Sequence, residues 1–257
     1  MAEPWKTSVT KVEPNKLTVR GYPLDQLINK ISFADSIYLM IKGELPSAEA
    51  SQLMEAILVS SIDHGVTPPS TLSARTVAST GATFNAALAA GVLSVNEHHG
   101  GAIENCMKML TRAVEQKREE GKSEQEIAEK LVKEIRARKG KLAGYGHRVH
   151  TNDPRTTRLY EIARETGFER EYVKMALAIQ DAIQQETGKN LPINVDGAIA
   201  SLLCELDFPS ALANAIFIIA RMPGLTAHVY EEMSTQKPMR RISPTNHEYE
   251  GEEGKTI

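Results

Sequence analysis

The sequence predicts an all-α fold. Apolar residues recur at three- and four-residue steps along most of the chain, and sustained apolar–polar alternation is scarce. Serines stand at the start of several periodic stretches, where a hydroxyl can accept from a free backbone N–H. Aromatic residues, favoured in strands, amount to only 5%.

Taken in order, a strand or hairpin is predicted near Ser8–Arg20, where Val9, Val12, Leu17 and Val19 are loosely spaced. Leu24, Leu27, Ile28 and Ile31 then share one helical face. Ser32 caps a short helix carrying Ile37, Leu39, Met40 and Ile41, which stops at Gly43. Ser47 opens the next, through Leu53, Ile57 and Leu58, ended by Asp63-His64-Gly65 and Pro68-Pro69. Ser70 to Leu93 is rich in Ala and Ser, so it is expected to be one central, buried helix that others approach closely. Gly100-Gly101 break the pattern before a helix over Ala102–Glu119. Ser123-Glu124-Gln125-Glu126 reads as a capping box, with Ile127, Leu131, Val132 and Ile135 on the stripe behind it. Gly140 to Asn152 has no apolar period and reads as a loop. Helices are predicted from Pro154 to near Gly167, over Glu169–Gly188, Asn194–Cys204, Ser210–Arg221 and Gly224–Met233, with a polar, extended stretch after Gln236.

Composition narrows the function. With 41% hydrophobic and 25% charged residues, the 257-residue chain can bury one large core or two modest ones. Thirty Lys and Arg against 33 Asp and Glu leave a charge of −3, so no global basic field draws it to nucleic acid. Two cysteines, Cys106 and Cys204, make neither a disulfide framework nor a Cys-rich zinc site. No basic segment followed by an apolar one stands at the start, and no run approaches the roughly 20 apolar residues that span a bilayer. A cytoplasmic protein without membrane attachment is expected.

Candidate chemistry clusters at glycine junctions. Of the seven histidines, His64, His98, His99 and His147 lie beside or one residue from a glycine, at helix–loop boundaries. There a ring can reach a cleft and exchange protons near neutrality, or simply cap a helix. A metal site is not expected: adjacent His98 and His99 point apart, and His147 and His150 lack an accompanying carboxylate. Arg148, Arg155, Arg158, Arg221, Arg240 and Arg241 offer forks for carboxylate or phosphate, and Arg221 directly follows the apolar run Ala215–Ala220, where a charge needs a partner. Asp196 sits in the apolar approach to a helix start, either as its N-cap or as a working carboxylate. No phosphate-binding loop, dinucleotide fingerprint or nucleophile elbow is present. Together these residues suit a small polycarboxylate handled by acid–base chemistry.

Their order resembles the citrate synthase family. His99-Gly100-Gly101-Ala102, Gly144-Tyr145-Gly146-His147 with Asp153-Pro154-Arg155 behind it, and Asn194-Val195-Asp196 carry the likeness, with Arg20-Gly21-Tyr22-Pro23, Gly43-Glu44-Leu45-Pro46 and Arg221. A single helix separates Gly43-Glu44-Leu45-Pro46 from Asp63-His64-Gly65, where conventional citrate synthases carry several more. That short layout resembles citryl-CoA lyase and the C-terminal citryl-CoA lyase module of ATP-citrate lyase.

The resemblance implies cleavage of (3S)-citryl-CoA to acetyl-CoA and oxaloacetate through an enol. Alternatives are a short citrate or methylcitrate synthase, favoured by the retained His99-Gly100-Gly101, and a citryl-CoA lyase subunit of a larger citrate-cleaving complex. It implies His99, His147 and Asp196 as catalytic residues. His64, Arg155 or Arg158, and Arg221 would hold the oxaloacetate part, and Arg240 or Arg241 would reach across a subunit interface. Gly144, Tyr145, Gly146, Arg148 and Asn194 would line the coenzyme A thioester, which is substrate; no metal or bound cofactor is implied. It further implies a large domain, 1–101 with 208–257, and a small domain, 102–207, that closes over the substrates. A homodimer or homotetramer and a citryl-CoA synthetase partner are the protein partners implied.

Overall fold

The N-terminal hairpin forms where it is predicted. In the computed structural model, which describes residues 3–146, 153–240, 248, 250 and 251, β1 (Thr10–Glu13) pairs antiparallel with β2 (Lys16–Val19), and the two-residue β3 (Tyr22–Pro23) adds to β2. Asn15, at φ +59, turns the hairpin, as a short polar side chain tolerates the left-handed region.

Helices then follow: α1 (Leu24–Leu27), α2 (Phe33–Lys42), α3 (Ala48–Ser60), α4 (Pro69–Ser79), α5 (Phe84–Leu93), α6 (Gly101–Glu120), α7 (Glu124–Ala137), α8 (Pro154–Glu165), α9 (Glu171–Thr187), α10 (Val195–Glu205) and α11 (Ala213–Thr235). The expected caps are in place. Ser32 accepts from the Asp35 N–H while Asp35 reaches back to the Ser32 N–H, and Ser123 and Glu126 make the same reciprocal box on α7. Ser47 accepts from the Ala50 N–H to start α3.

Three expectations are corrected. The helix expected over Leu24–Ile31 is a single turn: Asn29 takes φ +63, and Ile28 is left 68% exposed. Ser70–Leu93 is two helices, because Gly81 adopts φ +84 between α4 and α5. Nor is it the buried centre, since Leu93 is 77% exposed. Finally, the stretches expected as Ser210–Arg221 and Gly224–Met233 are one helix, α11, entered through a 3-10 turn at Ser210–Leu212 and continuing through Pro223. The stretch Ser210–Thr235 is thereby long and apolar enough, by length and composition, to cross a membrane. Arg221 and Glu232, buried along it, are partnered by protein atoms, which marks a core helix.

The described chain falls into two compact units, Met1–Asp63 with Val95–Met222, and His64–Ser94 with Pro223–Ile257. The 102–207 span lies wholly inside the first. That unit is built round α10, whose residues from Gly197 to Cys204 are all buried. A helix covered on every side can be apolar all round, and α6, α8 and α9 supply the cover. Ile103, Met107 and Leu110 of α6, Met175 and Ile179 of α9, and Ile199 of α10 are fully buried. Glu205, at the far end of α10, accepts from the Tyr172 and Val173 N–H groups at 2.8 and 3.0 Å, capping α9 from another helix.

In the second unit, α4 and α5 lie close enough that a Cβ on Gly91 would stand 3.1 Å from Ala74 Cβ. The small residues therefore serve this one pairing. Glu232, 2% exposed, accepts from Arg75 Nε at 2.7 Å and from Arg240 Nε at 2.9 Å.

Candidate active site

Two structural details bring the first unit's polar residues together. At the start of α10, the Asn194 side chain accepts from the Gly197 N–H at 3.1 Å and so is the N-cap. Asp196 is thereby released from capping and sits in the first turn, partly exposed. Opposite it runs the loop Gly144–Gly146, whose Gly144 carbonyl accepts from the Asn194 N–H at 3.0 Å. Loop and helix touch backbone to backbone: a Cβ on Gly197 would lie 2.4 Å from the Gly144 carbonyl oxygen. Gly197→Ala is expected to lower the unfolding free energy by at least about 1–3 kcal/mol, the scale of overpacking a filled core. Urea titration measures this, and an unchanged midpoint would contradict the contact.

Asp196 lies in a charged neighbourhood. Burial pushes its carboxyl above the ordinary range, outweighing the Arg155 and Arg221 guanidinium groups, which pull it down; Asp153 adds to the rise. Burial likewise lowers Arg221, against the opposing charges of Asp63 and Asp196. A carboxyl whose pKa is raised by burial, with two cations nearby, is better placed to give a proton than an ordinary carboxylate is.

Each arginine is anchored. Arg155 forms a fork with Asp153, Nε to Oδ1 at 3.0 Å and Nη2 to Oδ2 at 2.8 Å. Asp153 also caps α8 through the Arg155 N–H. Arg221, 4% exposed, donates from Nε to the Ser61 carbonyl at 2.8 Å and lies over the Phe217 ring at 4.8 Å. Its Nη1 is buried and has no hydrogen-bond partner among the described residues. The His99 ring also meets Phe217, edge-on at 5.8 Å. A β-bridge between Asn96 and His99 fixes the His99 backbone before α6 begins, with Gly100 at φ +94.

Asp196, Arg155 and Arg221 are thus gathered, with His99 joined to Arg221 through Phe217. Arg158 lies elsewhere, exposed and paired with Glu161 and Glu165 along α8. Arg240 is in the second unit, held by Glu232. His64 opens that same unit. His147, Arg148 and Arg241 lie outside the described residues. Tyr145 is turned inward, its hydroxyl donating to the Ala176 carbonyl at 3.0 Å. Sequence reasoning missed Phe217, Asp153 and Ser61 as supports. Asp153 left a signal, as part of the Asp153-Pro154-Arg155 segment; Phe217 and Ser61 left none.

The fold and this cluster define a class. The profile described as "Citrate synthase, C-terminal domain" matches residues 46–242, and the chain belongs to the citrate synthase family. Among solved structures, it is 43% identical to citryl-CoA lyase from Hydrogenobacter thermophilus, covering 99% of this chain and 98% of that one at a TM-score of 0.92. The ATP citrate lyase of Methanothrix soehngenii, solved with citrate and coenzyme A, shares the fold at 22% identity, over 97% of this chain and 42% of that one, with a TM-score of 0.84. Citrate synthase 2 of Bacillus subtilis is 31% identical over 213 residues, 80% of this chain and 54% of the relative. The chain spans about half the length of the curated relatives it matches, 54%, 57% and 54% for three of them.

Proposed function

We propose that the chain is a cytoplasmic citryl-CoA lyase, cleaving (3S)-citryl-CoA to acetyl-CoA and oxaloacetate. The observation that carries this reading is the end-to-end likeness to a citryl-CoA lyase at 43% identity, over 98% of that chain. In the cleavage direction His147 takes the proton of the citryl hydroxyl. The central carbon–carbon bond breaks, oxaloacetate's carbonyl forms, and the electron pair moves onto the thioester as an enolate. His99 donates a hydrogen bond to the thioester oxygen, and Asp196 gives its proton to the methylene carbon, leaving acetyl-CoA. A raised Asp196 pKa serves this donation. The hydrogen bond from His99 is of the oxyanion-stabilising kind, worth about 3–4 kcal/mol per donor.

Arg221 and Arg155 hold the oxaloacetate carboxylates; a part for His64 in that binding rests on its Asp63-His64-Gly65 motif alone. Arg155 is preferred to Arg158, which spends its charge on glutamates of its own helix. Arg240 is spent on Glu232, so Arg241 is the arginine offered to a neighbouring subunit. Coenzyme A lies along the Gly144–Gly146 loop, and Arg148 is assigned to its phosphates on residue type and the resemblance alone. Closure of the 102–207 span excludes water, which would otherwise hydrolyse the thioester.

The runner-up is a short citrate or methylcitrate synthase, favoured by the names of the curated relatives. One assay separates the two. Supplied (3S)-citryl-CoA is expected to yield acetyl-CoA and oxaloacetate without free thiol. Citrate and free coenzyme A made from acetyl-CoA and oxaloacetate at a comparable rate would establish the synthase instead. Activity restored only by adding a citryl-CoA synthetase would point to a subunit of a larger complex.

A further inference from the structure

We propose that Asn194 is a positioning residue that ties the loop before His147 to the helix turn bearing Asp196. Both functional ends of its side chain are engaged within the chain. Oδ1 accepts from the Gly197 N–H at 3.1 Å, and Nδ2 donates to the Gly146 carbonyl at 2.8 Å. One amide therefore spans the first turn of α10 and the last described residue before His147. An ordinary N-cap needs only the first of these bonds, which serine or aspartate supplies equally well. The second requires a donor on the same side chain, which neither a serine hydroxyl at that reach nor a carboxylate provides.

The surrounding backbone repeats the link at every step. Asn194 N–H donates to the Gly144 carbonyl at 3.0 Å, and Gly146 N–H to the Pro192 carbonyl at 2.8 Å. Tyr145 and Ile193 form an antiparallel bridge between them. Gly144 and Gly197 meet without side chains, so no intervening group cushions a shift. Movement of the loop is in this way transmitted to the Asp196 turn, and among the described residues the Asn194 amide is the side chain hydrogen-bonded to both. A proton donor and a proton acceptor working on opposite ends of one breaking bond must keep their separation, and a misplacement of about 1 Å can cost about 100-fold in rate.

This rests on the proposed lyase reading, and the test separates the two. Asn194→Ser keeps the cap and removes the tether. Its kcat on (3S)-citryl-CoA is expected to fall about 100-fold, with KM for citryl-CoA changed by less than about threefold, since the tether and not a coenzyme contact is lost. A KM rise with kcat intact would make Asn194 a coenzyme contact and overturn the proposal. Hydrogen exchange gives a readout independent of turnover: amides of residues 145 and 146 are expected to exchange faster in Asn194→Ser, with Leu202 and Leu203 unchanged. Unchanged exchange in the loop overturns the tether even where activity falls. A wild-type chain inert to citryl-CoA would remove the lyase reading and leave the exchange experiment to decide the link.

Discussion

Asp196→Asn is expected to lower turnover on (3S)-citryl-CoA by about 100- to 10,000-fold, the range that a positioned general acid or base supplies. The fold should survive. Asn keeps the shape of the side chain, and the helix start does not depend on it, because Asn194 is the cap. Stability at neutral pH is expected to rise. Burial holds the Asp196 carboxyl above its usual pKa in the folded chain. The group therefore favours folding below its ordinary unfolded pKa and loses that contribution as pH rises through the folded value. The arginines oppose this, yet the shift is still upward, so desolvation wins and an uncharged amide relieves it. Thermal unfolding at pH 7 should show a higher midpoint for the variant than for wild type, with the difference vanishing in acid. The wild-type cleavage rate should also fall as pH rises through the Asp196 pKa, because only the protonated form delivers the proton. Near-normal turnover in Asp196→Asn would remove it from the chemistry.

Much of this was legible in the residues. Ser32, Ser47 and Ser123 announced their helices because a cap is a local interaction, decided within four residues of sequence. Arg221 was conspicuous because a cation behind an apolar run is improbable without a partner, and it is buried. What sequence could not reveal was long-range. The two readings of Asp196 were separable only once Asn194 was seen to fill the cap. Sequence alone could not say that Arg155 forks with Asp153 while Arg158 pairs with glutamates along α8. Ser70–Leu93 misled because small residues signal close approach without saying to what; they pack α4 on α5. Ser210–Arg221 and Gly224–Met233 were expected as separate helices, yet α11 runs through Pro223 between them. Phe217 was invisible as a functional support because an apolar residue in an apolar helix reads as core; its role follows only from its ring contacts with His99 and Arg221.

The second large effect is expected at Arg221. Its guanidinium is buried, stacked on Phe217 and tied through Nε to Ser61, which leaves Nη1 without a partner among the described residues. An unspent donor on a buried cation costs about 1–3 kcal/mol, and a ligand carboxylate offsets that cost by accepting it. The fixed Nε and the stacked plane also set the direction of the fork before ligand arrives, so little ordering entropy is lost on binding. Arg221→Leu keeps an apolar stem over Phe217 and removes the cation. Truncating one partner of a buried charged hydrogen bond costs about 2–5 kcal/mol, roughly 30-fold or more in affinity. Oxaloacetate binding measured by calorimetry should weaken by at least that factor, while the affinity for coenzyme A alone stays within about threefold, a margin near 0.6 kcal/mol. Some stability is lost as well, since the Ser61 carbonyl loses its donor, about 1 kcal/mol. That loss is too small to mimic the binding effect. Equal weakening of both ligands would mean that Arg221 supports the fold and does not meet the carboxylate. Arg221→Lys sharpens the point: it restores the charge without the fork, and should recover only part of the oxaloacetate affinity, because a point charge cannot hold Ser61 and a carboxylate in one plane.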